Sequence, residues 1–232
     1  DAERFRRIGV APEKVAVTGS VKFDVDIPED VRAAAMALRQ ELAGRPVWIA
    51  GSTHGSENDQ LLAAHGKVLA EHPGALLILV PRHPDRFEPV AEKAVKEGLT
   101  LARRSLGEGP AQAQVYLGDT MGELMMLYGA SDLAFVGGSL IERGGHNPLE
   151  PAGWGIPVFS GPHIFNFETI YQSLLNDRGV KLVTDADDLA AHVSSLFSDG
   201  QEREAIGQRA LEVVNKNRGA LDKVVDGIIE RV

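Results

Sequence analysis

The segment Phe135–Pro151, FVGGSLIERGGHNPLEP, gathers more side chains able to hold a ligand than any other part of the chain. An apolar stretch (Leu133, Ala134, Phe135, Val136) runs into Gly137 and Gly138. A polar loop follows with Ser139, Glu142, Arg143, a second glycine pair, His146 and Asn147, and Pro148 then opens a predicted helix that holds Glu150. Glycine at a strand's carboxyl end lets backbone approach a ligand without Cβ interference. Proline at a first helical position loses no hydrogen bond, because that N–H has no intrahelical partner. The free N–H groups and positive dipole end of such a helix suit an anion such as a phosphate. Asn147 and Glu150 stand three apart, so both can face one ligand across the first turn. An ordinary strand-loop-helix turn would use the same glycines, but not so many bonding side chains.

Further segments of this kind recur along the chain. Gly51-Ser52-Thr53-His54 offers two hydroxyls and an imidazole before a predicted helix. They can cap that helix or hold a phosphate or sugar oxygen, and both readings stand. In Pro81-Arg82-His83-Pro84, two prolines stiffen the backbone around a guanidinium, which binds phosphate bidentately and never loses its charge. A cation held there is read as a ligand group rather than a solvated arginine. Gly118-Asp119-Thr120-Met121-Gly122 precedes a helix that Asp119 or Thr120 is expected to cap, and its backbone can read the edge of a base. Met125 and Met126 read as core filler. Gly161-Pro162-His163 closes the set. Glu150 can accept two ribose hydroxyls or merely complement the helix dipole.

These loops fall between short apolar runs and helix-period stretches. The runs predict strands at Lys14–Thr18, Val47–Ala50, Leu76–Val80, Leu99–Arg103, Val115–Leu117, Leu133–Val136, Pro157–Ser160 and Val180–Val183. Helices are predicted at Ala2–Ile8, Glu29–Ala43, Glu57–Glu71, Pro84–Glu97, Met121–Tyr128, Leu149–Trp154, Phe167–Asn176, Ala186–Phe197, Gln201–Asn217 and Ala220–Val232. Pro28, Gly44 and Gly98 mark boundaries. Near-continuous apolar strands alternating with helices predict an α/β fold, a Rossmann-like parallel sheet with helices on both faces. Such sheets bind ligands beyond their strands' carboxyl ends, so the polar loops are expected on one rim.

The 232 residues carry 44% hydrophobic and 25% charged side chains, an ordinary globular composition. We read residues 1–232 as a single ligand-binding domain, with helices over 186–232 packing on it or reaching towards an absent domain. No linker or repeat divides it. The absence of cysteine excludes disulfides, thiolate metal sites and cysteine nucleophiles. A net charge of -9 argues against a general nucleic-acid binder. No run is long and apolar enough to span a bilayer, and no signal peptide is visible. Because the chain begins at Asp1 inside a helical segment, it is expected to be a piece of a longer or processed protein.

Asp24-Val25-Asp26 and Asp185-Ala186-Asp187 match a DxD pattern too short to be specific, and both read as structural. His146 and His163 lack the spacing of a metal pair. The usual dinucleotide and NTPase signatures are absent. No metal and no cofactor is expected.

Six segments occur in a particular order: VTGSVKFD (Val17–Asp24), GSTH (Gly51–His54), PRHP (Pro81–Pro84), GDTMGEL (Gly118–Leu124), GGHNPLEP (Gly144–Pro151) and GPHIFNF (Gly161–Phe167). Together they resemble the C-terminal half of the bacterial 3-deoxy-D-manno-octulosonic acid (Kdo) transferases of lipopolysaccharide synthesis. The likeness runs from about Val15 to Tyr171. Ser20-Val21 stands where the family usually has Asn-Leu, and Gly55-Ser56-Glu57-Asn58 where it is often more acidic.

The resemblance implies the C-terminal half of a GT-B type glycosyltransferase, which holds the donor CMP-Kdo while a missing N-terminal domain holds a lipid A precursor. Arg82 would bind the donor phosphate, with Ser52, Thr53 and the Gly138-Ser139 backbone around it. Asp119, Thr120, Met121 and Gly122 would lie along cytosine. Glu150 with Asn147 would take the ribose or phosphate side, and Lys22 the Kdo carboxylate or phosphate. His54, Pro81, His83 and Gly137 complete the implied donor-binding set. The reaction implied is inverting displacement at the anomeric carbon, without metal. Its general base is a glutamate of the missing domain, so no catalytic residue is assigned here and the chain alone is expected to be inactive. The parent enzyme would sit on the cytoplasmic face of the inner membrane, the fragment itself being soluble. A nucleotide-sugar epimerase of the same two-domain plan and a non-catalytic nucleotide-binding module are the rival readings.

Overall fold

The computed structural model describes residues 2–229. Helix α1 (Ala2–Arg7) is followed by 3-10 turns at Pro12–Lys14 and Val21–Phe23, then α2 (Glu29–Glu41). The repeating part runs β1 (Val47–Thr53), α3 (Gly55–Glu71), β2 (Leu76–Pro81), α4 (Phe87–Lys96), β3 (Leu101–Arg103) and β4 (Val115–Leu117). It continues with α5 (Leu124–Gly129), β5 (Leu133–Val136), α6 (Leu149–Gly153), β6 (Val158–Ser160), α7 (Glu168–Asn176) and β7 (Val180–Leu182). Helices α8 (Ala186–Ser198), α9 (Gly200–Asn217) and α10 (Ala220–Ile229) end it. The predicted last helix extends to Val232, whose final three residues lie outside the described ones.

All seven strands are parallel, in the order β3-β4-β2-β1-β5-β6-β7. The pleat explains the layering. Trp48 and Ala50 of β1 face a core built with α3, α4 and α8, while Val47 and Ile49 face one built with α2 and α5. Every residue of β2, LLILVP, is buried, and each such aliphatic side chain stabilises the fold by roughly 1.5–3 kcal/mol over exposure. A third core unites Val136, Val158 and Val180 with α6, α7 and α9. Chain order reverses at β1, between β2 on one side and β5 on the other. Consecutive connections there leave to opposite faces and open a crevice at the strands' carboxyl ends.

The predicted strand over Lys14–Thr18 is corrected. Pro12–Lys14 form a 3-10 turn and the rest is unpaired, with Val17 74% exposed. Its apolar residues have no neighbouring strand, because the sheet ends at β3 and β7. The helix predicted from Pro84 begins as a 3-10 turn (Pro84–Arg86) before α4. The one predicted from Met121 begins only at Leu124, after Gly122 takes a left-handed φ of 85°. Asp24 reads as structural and is so: its carboxylate accepts the N–H groups of Gly219 (2.6 Å) and Leu221 (2.8 Å), fastening α10 to the 3-10 turn at Val21–Phe23.

Candidate functional site

At the crevice lies a cavity of about 390 Å³ that brings Ser52, Arg82, Gly122, Asn147 and Glu150 together. Leu124, Met125, Tyr128 and Phe167 form its apolar wall, and His146 closes one side. Met125 is therefore a wall residue of the cavity, not only filler. Ser52 enters through a left-handed turn (φ 56°) where the β1–β2 register slips, a conformation that costs a non-glycine residue about 1 kcal/mol or more. Gly51 before it is required by packing: a Cβ there would collide with the Tyr128 hydroxyl.

Arg82 follows the buried Pro81 at the end of β2, and its backbone N–H donates to Thr53 O at 2.9 Å. Among the described residues its guanidinium has no acceptor, so it stands as an exposed, unspent cation. Its field reaches Glu150, whose carboxyl is raised by burial and drawn back by the Asn147 amide and Arg82. Burial, His54, Arg82 and His83 together hold His146 down at about 4. Asn147 divides its amide: Oδ1 accepts the Leu149 N–H (3.1 Å), while Nδ2 leans towards Glu150 Oε1 at 3.5 Å. Lys22 lies beside this cavity, its ammonium 4.4 Å from the centroid of Phe167. Helix α6, only five residues long, already has Asn147 on its first free N–H.

Other expected ligand groups are consumed by the protein itself. Thr53 is fully buried and donates to Asn58 Oδ1 at 2.6 Å. The Ser139 hydroxyl, also buried, donates to Val136 O and accepts the Gly161 N–H. The backbone N–H groups of Gly138, Ser139 and Leu140 do not await a phosphate, because the Glu57 carboxylate accepts all three at 2.8–3.1 Å. Glu57 also accepts the His54 N–H at 3.3 Å, and its carboxyl is raised by burial against the pull of these donors. Gly137 is a packing glycine, since a Cβ there would lie 2.5 Å from Ser52 O.

Asp119 likewise corrects the expectation of a helix cap. Its carboxylate binds Arg103 (2.9 Å) and both the N–H and hydroxyl of Ser105 (2.8 and 2.6 Å), leaving its side chain 1% exposed. Thr120 donates to Glu123, which also pairs with Arg104. Met121 is 63% exposed. His54 and His83 belong to an adjacent, larger cavity of about 550 Å³.

Sequence reasoning left out Tyr128, His146 and Phe167 as site residues and read Glu57 only as a helix start. His146 and Phe167 lie inside two of the six recurring segments, which was their available signal. Nothing local marks Tyr128 or Glu57. Chemically, the cavity offers a free guanidinium for a phosphate, a half-buried carboxylate and amide for vicinal hydroxyls, and an apolar wall for a flat ring. Among the described residues, no group of three His, Asp or Glu side chains is placed to hold a metal ion.

A parallel sheet with this switch point and a cavity at its strands' carboxyl ends has the architecture of the C-terminal half of a GT-B type glycosyltransferase. The same fold occurs in HepE from Anabaena, solved with UDP and glucose, at a TM-score of 0.62 and 16% identity, covering 100% of this chain and 61% of that one. No family model matches the sequence. A 3-deoxy-D-manno-octulosonic acid transferase of Haemophilus influenzae is 44% identical over 227 residues, 97% of this chain and 53% of that protein. The C-terminal CMP-Kdo binding domain of WaaA from Acinetobacter baumannii superposes with a TM-score of 0.77 at 36% identity, covering 81% of this chain and 99% of that domain.

The chain belongs to the Kdo transferase family and corresponds to its C-terminal domain. It spans about half the length of the curated relatives it matches.

Proposed function

We propose that this domain binds CMP-Kdo and serves a transferase that moves Kdo to a lipid A precursor in lipopolysaccharide synthesis. The observation that carries the reading is the meeting of the unspent Arg82 guanidinium, Asn147 and half-buried Glu150 in one cavity with an apolar wall. Arg82 grips the donor phosphate, Glu150 takes the ribose hydroxyls, and the backbone at Gly122 and the side chains of Leu124 and Met125 lie along cytosine. Lys22 faces the sugar side. As the anomeric bond breaks with inversion, charge grows on the departing CMP phosphate, and a fixed guanidinium aimed at that charge lowers the barrier. The base that activates the acceptor belongs to the other half of the enzyme, so the 232-residue chain binds donor but transfers nothing. No metal takes part. The whole enzyme works at the cytoplasmic face of the inner membrane. No helix among the described residues is long and apolar enough to cross it.

Calorimetric titration with CMP tests this. Arg82→Ala weakens binding by roughly 1.5–3 kcal/mol, the worth of hydrogen bonds to a charged group. Unchanged affinity removes Arg82 from the site, and measurable sugar transfer to a lipid acceptor by this chain contradicts the division of labour.

A further inference from the structure

We propose that the Tyr128 hydroxyl reads the ribose in this cavity, donating its proton to a nucleotide hydroxyl that itself donates to Glu150. The inference deepens the donor reading above and rests on it. It makes Tyr128 a specificity-determining residue, one that favours a ribonucleotide over its deoxy analogue.

By packing alone Tyr128 is a core residue. Its ring belongs to the apolar core that holds Ile49, Met126, Leu127 and Ala134, and the residue is 1% exposed. Phenylalanine would fill that space as well, so packing does not explain the hydroxyl. Tyr128 lines the donor cavity, and among the described residues its oxygen has no hydrogen-bond partner. Buried polar atoms are nearly always paired, so an unpaired one at a cavity wall calls for a ligand. Two other unpaired atoms, Asn58 Nδ2 and Ser194 Oγ, are sealed inside the protein, where no ligand reaches them. The Tyr128 oxygen is not sealed. Strand β1 gives way to let it through: a Cβ at Gly51 would collide with this hydroxyl and lie 2.7 Å from the ring carbon that bears it. A position that only glycine satisfies is thus set by an oxygen the chain alone does not use.

The neighbouring groups decide what the hydroxyl can hold. Burial first, and then the charge of Glu150, push the phenol above its ordinary pKa, so Tyr128 stays a neutral O–H donor. An ionised carboxylate only accepts. A ligand group that satisfies both must donate to Glu150 and accept from Tyr128. A hydroxyl does both, whereas an ammonium cannot accept and a carbonyl cannot donate. Ribose brings two vicinal hydroxyls, each with a proton for Glu150 and lone pairs to spare. Asn147 Nδ2, 3.5 Å from Glu150 Oε1, is a second donor beside the same carboxylate, so each ribose oxygen has one. Glu150 and Tyr128 act as a unit, because without the carboxylate nothing turns the ribose hydroxyl towards the phenol.

The test titrates CMP, 2′-deoxy-CMP and 3′-deoxy-CMP into the 232-residue chain and its Tyr128→Phe variant by calorimetry, with a thermal melt of each protein. The variant should melt no lower than the unmodified chain, since it loses an unpaired hydroxyl. CMP should bind it roughly three- to tenfold more weakly, the worth of one hydrogen bond. At least one deoxynucleotide, lacking the hydroxyl that Tyr128 holds, should bind both proteins alike, which identifies that hydroxyl. Unchanged CMP affinity in the variant overturns the proposal alone. So does a loss as large for both deoxynucleotides as for CMP, which puts the contact off the ribose, or a lower melting temperature, which gives the hydroxyl to the fold. Failure of the unmodified chain to bind CMP overturns the donor reading and this one with it.

Discussion

Two loops at the crevice, Gly137–Leu140 after β5 and Pro81–His83 after β2, both follow the carboxyl end of a buried parallel strand and do opposite things. The first presents three aligned N–H donors and a hydroxyl, and the protein takes up all of them with Glu57, Val136 and Gly161. The second presents one guanidinium and takes up none of it. Polar residues on a binding rim are therefore of two kinds: those that hold the rim in shape and those left for a ligand. The first kind is buried and fully paired, and the second is exposed or faces a cavity.

The comparison breaks first at Glu57. Removing its carboxylate strands buried N–H donors, each costing about 1–3 kcal/mol. Glu57→Ala should lower the unfolding free energy by roughly 3–5 kcal/mol in urea melts, whereas Arg82→Ala should change it by less than about 0.5 kcal/mol. Equal effects would erase the distinction between the loops.

His65 sharpens the same point through pH. It is fully buried, accepting the Trp48 indole N–H on Nδ1 (3.1 Å) with Nε2 on Gln114 O (2.8 Å), so a second proton breaks the pair. Burial, the leading cause, lowers it from 6.5 to about 4. Its folded form resists the proton that the unfolded chain accepts. Its contribution is full above pH 6.5 and is lost as pH falls through about 4, amounting to about 3 kcal/mol. Imidazole NMR should show His65 neutral down to about pH 4 while stability declines across that window. Titration near 6.5 would contradict it.

At Glu150 the expected effect is on binding. Glu150→Ala should weaken CMP by about 1.5–3 kcal/mol and remove any preference of CMP over 2′-deoxy-CMP. A preference that survives the substitution places the ribose elsewhere. Ser52→Gly should give the smallest change: relief of the left-handed strain stabilises the fold by up to about 1 kcal/mol, with some loss of CMP affinity. A destabilised glycine variant would deny the strain.

Much of the fold was readable because buried parallel strands are apolar on both faces; Val115–Leu117 and Leu133–Val136 lie where their apolar runs end. Lys14–Thr18 has the same local composition and fails, because strand identity needs a neighbour as well as a pattern. In the site, Arg82 and Glu150 were visible from residue type and position after a strand. Thr53, Asp119 and Ser139 have the right chemistry but point inward, and their partners Asn58, Ser105 and Gly161 follow no local rule that reveals them. Glu57 was legible only as the start of a predicted helix. Its partners lie some eighty residues on, at Gly138–Leu140, in a contact only the folded sheet creates.

The most direct measurement is the melting temperature of this chain with CMP, UMP, UDP and ADP in parallel. A cavity built for a cytidylate predicts a rise with CMP that exceeds the other three at equal concentration. A larger rise with UDP, or none with any nucleotide, would contradict the assignment of this crevice to CMP-Kdo.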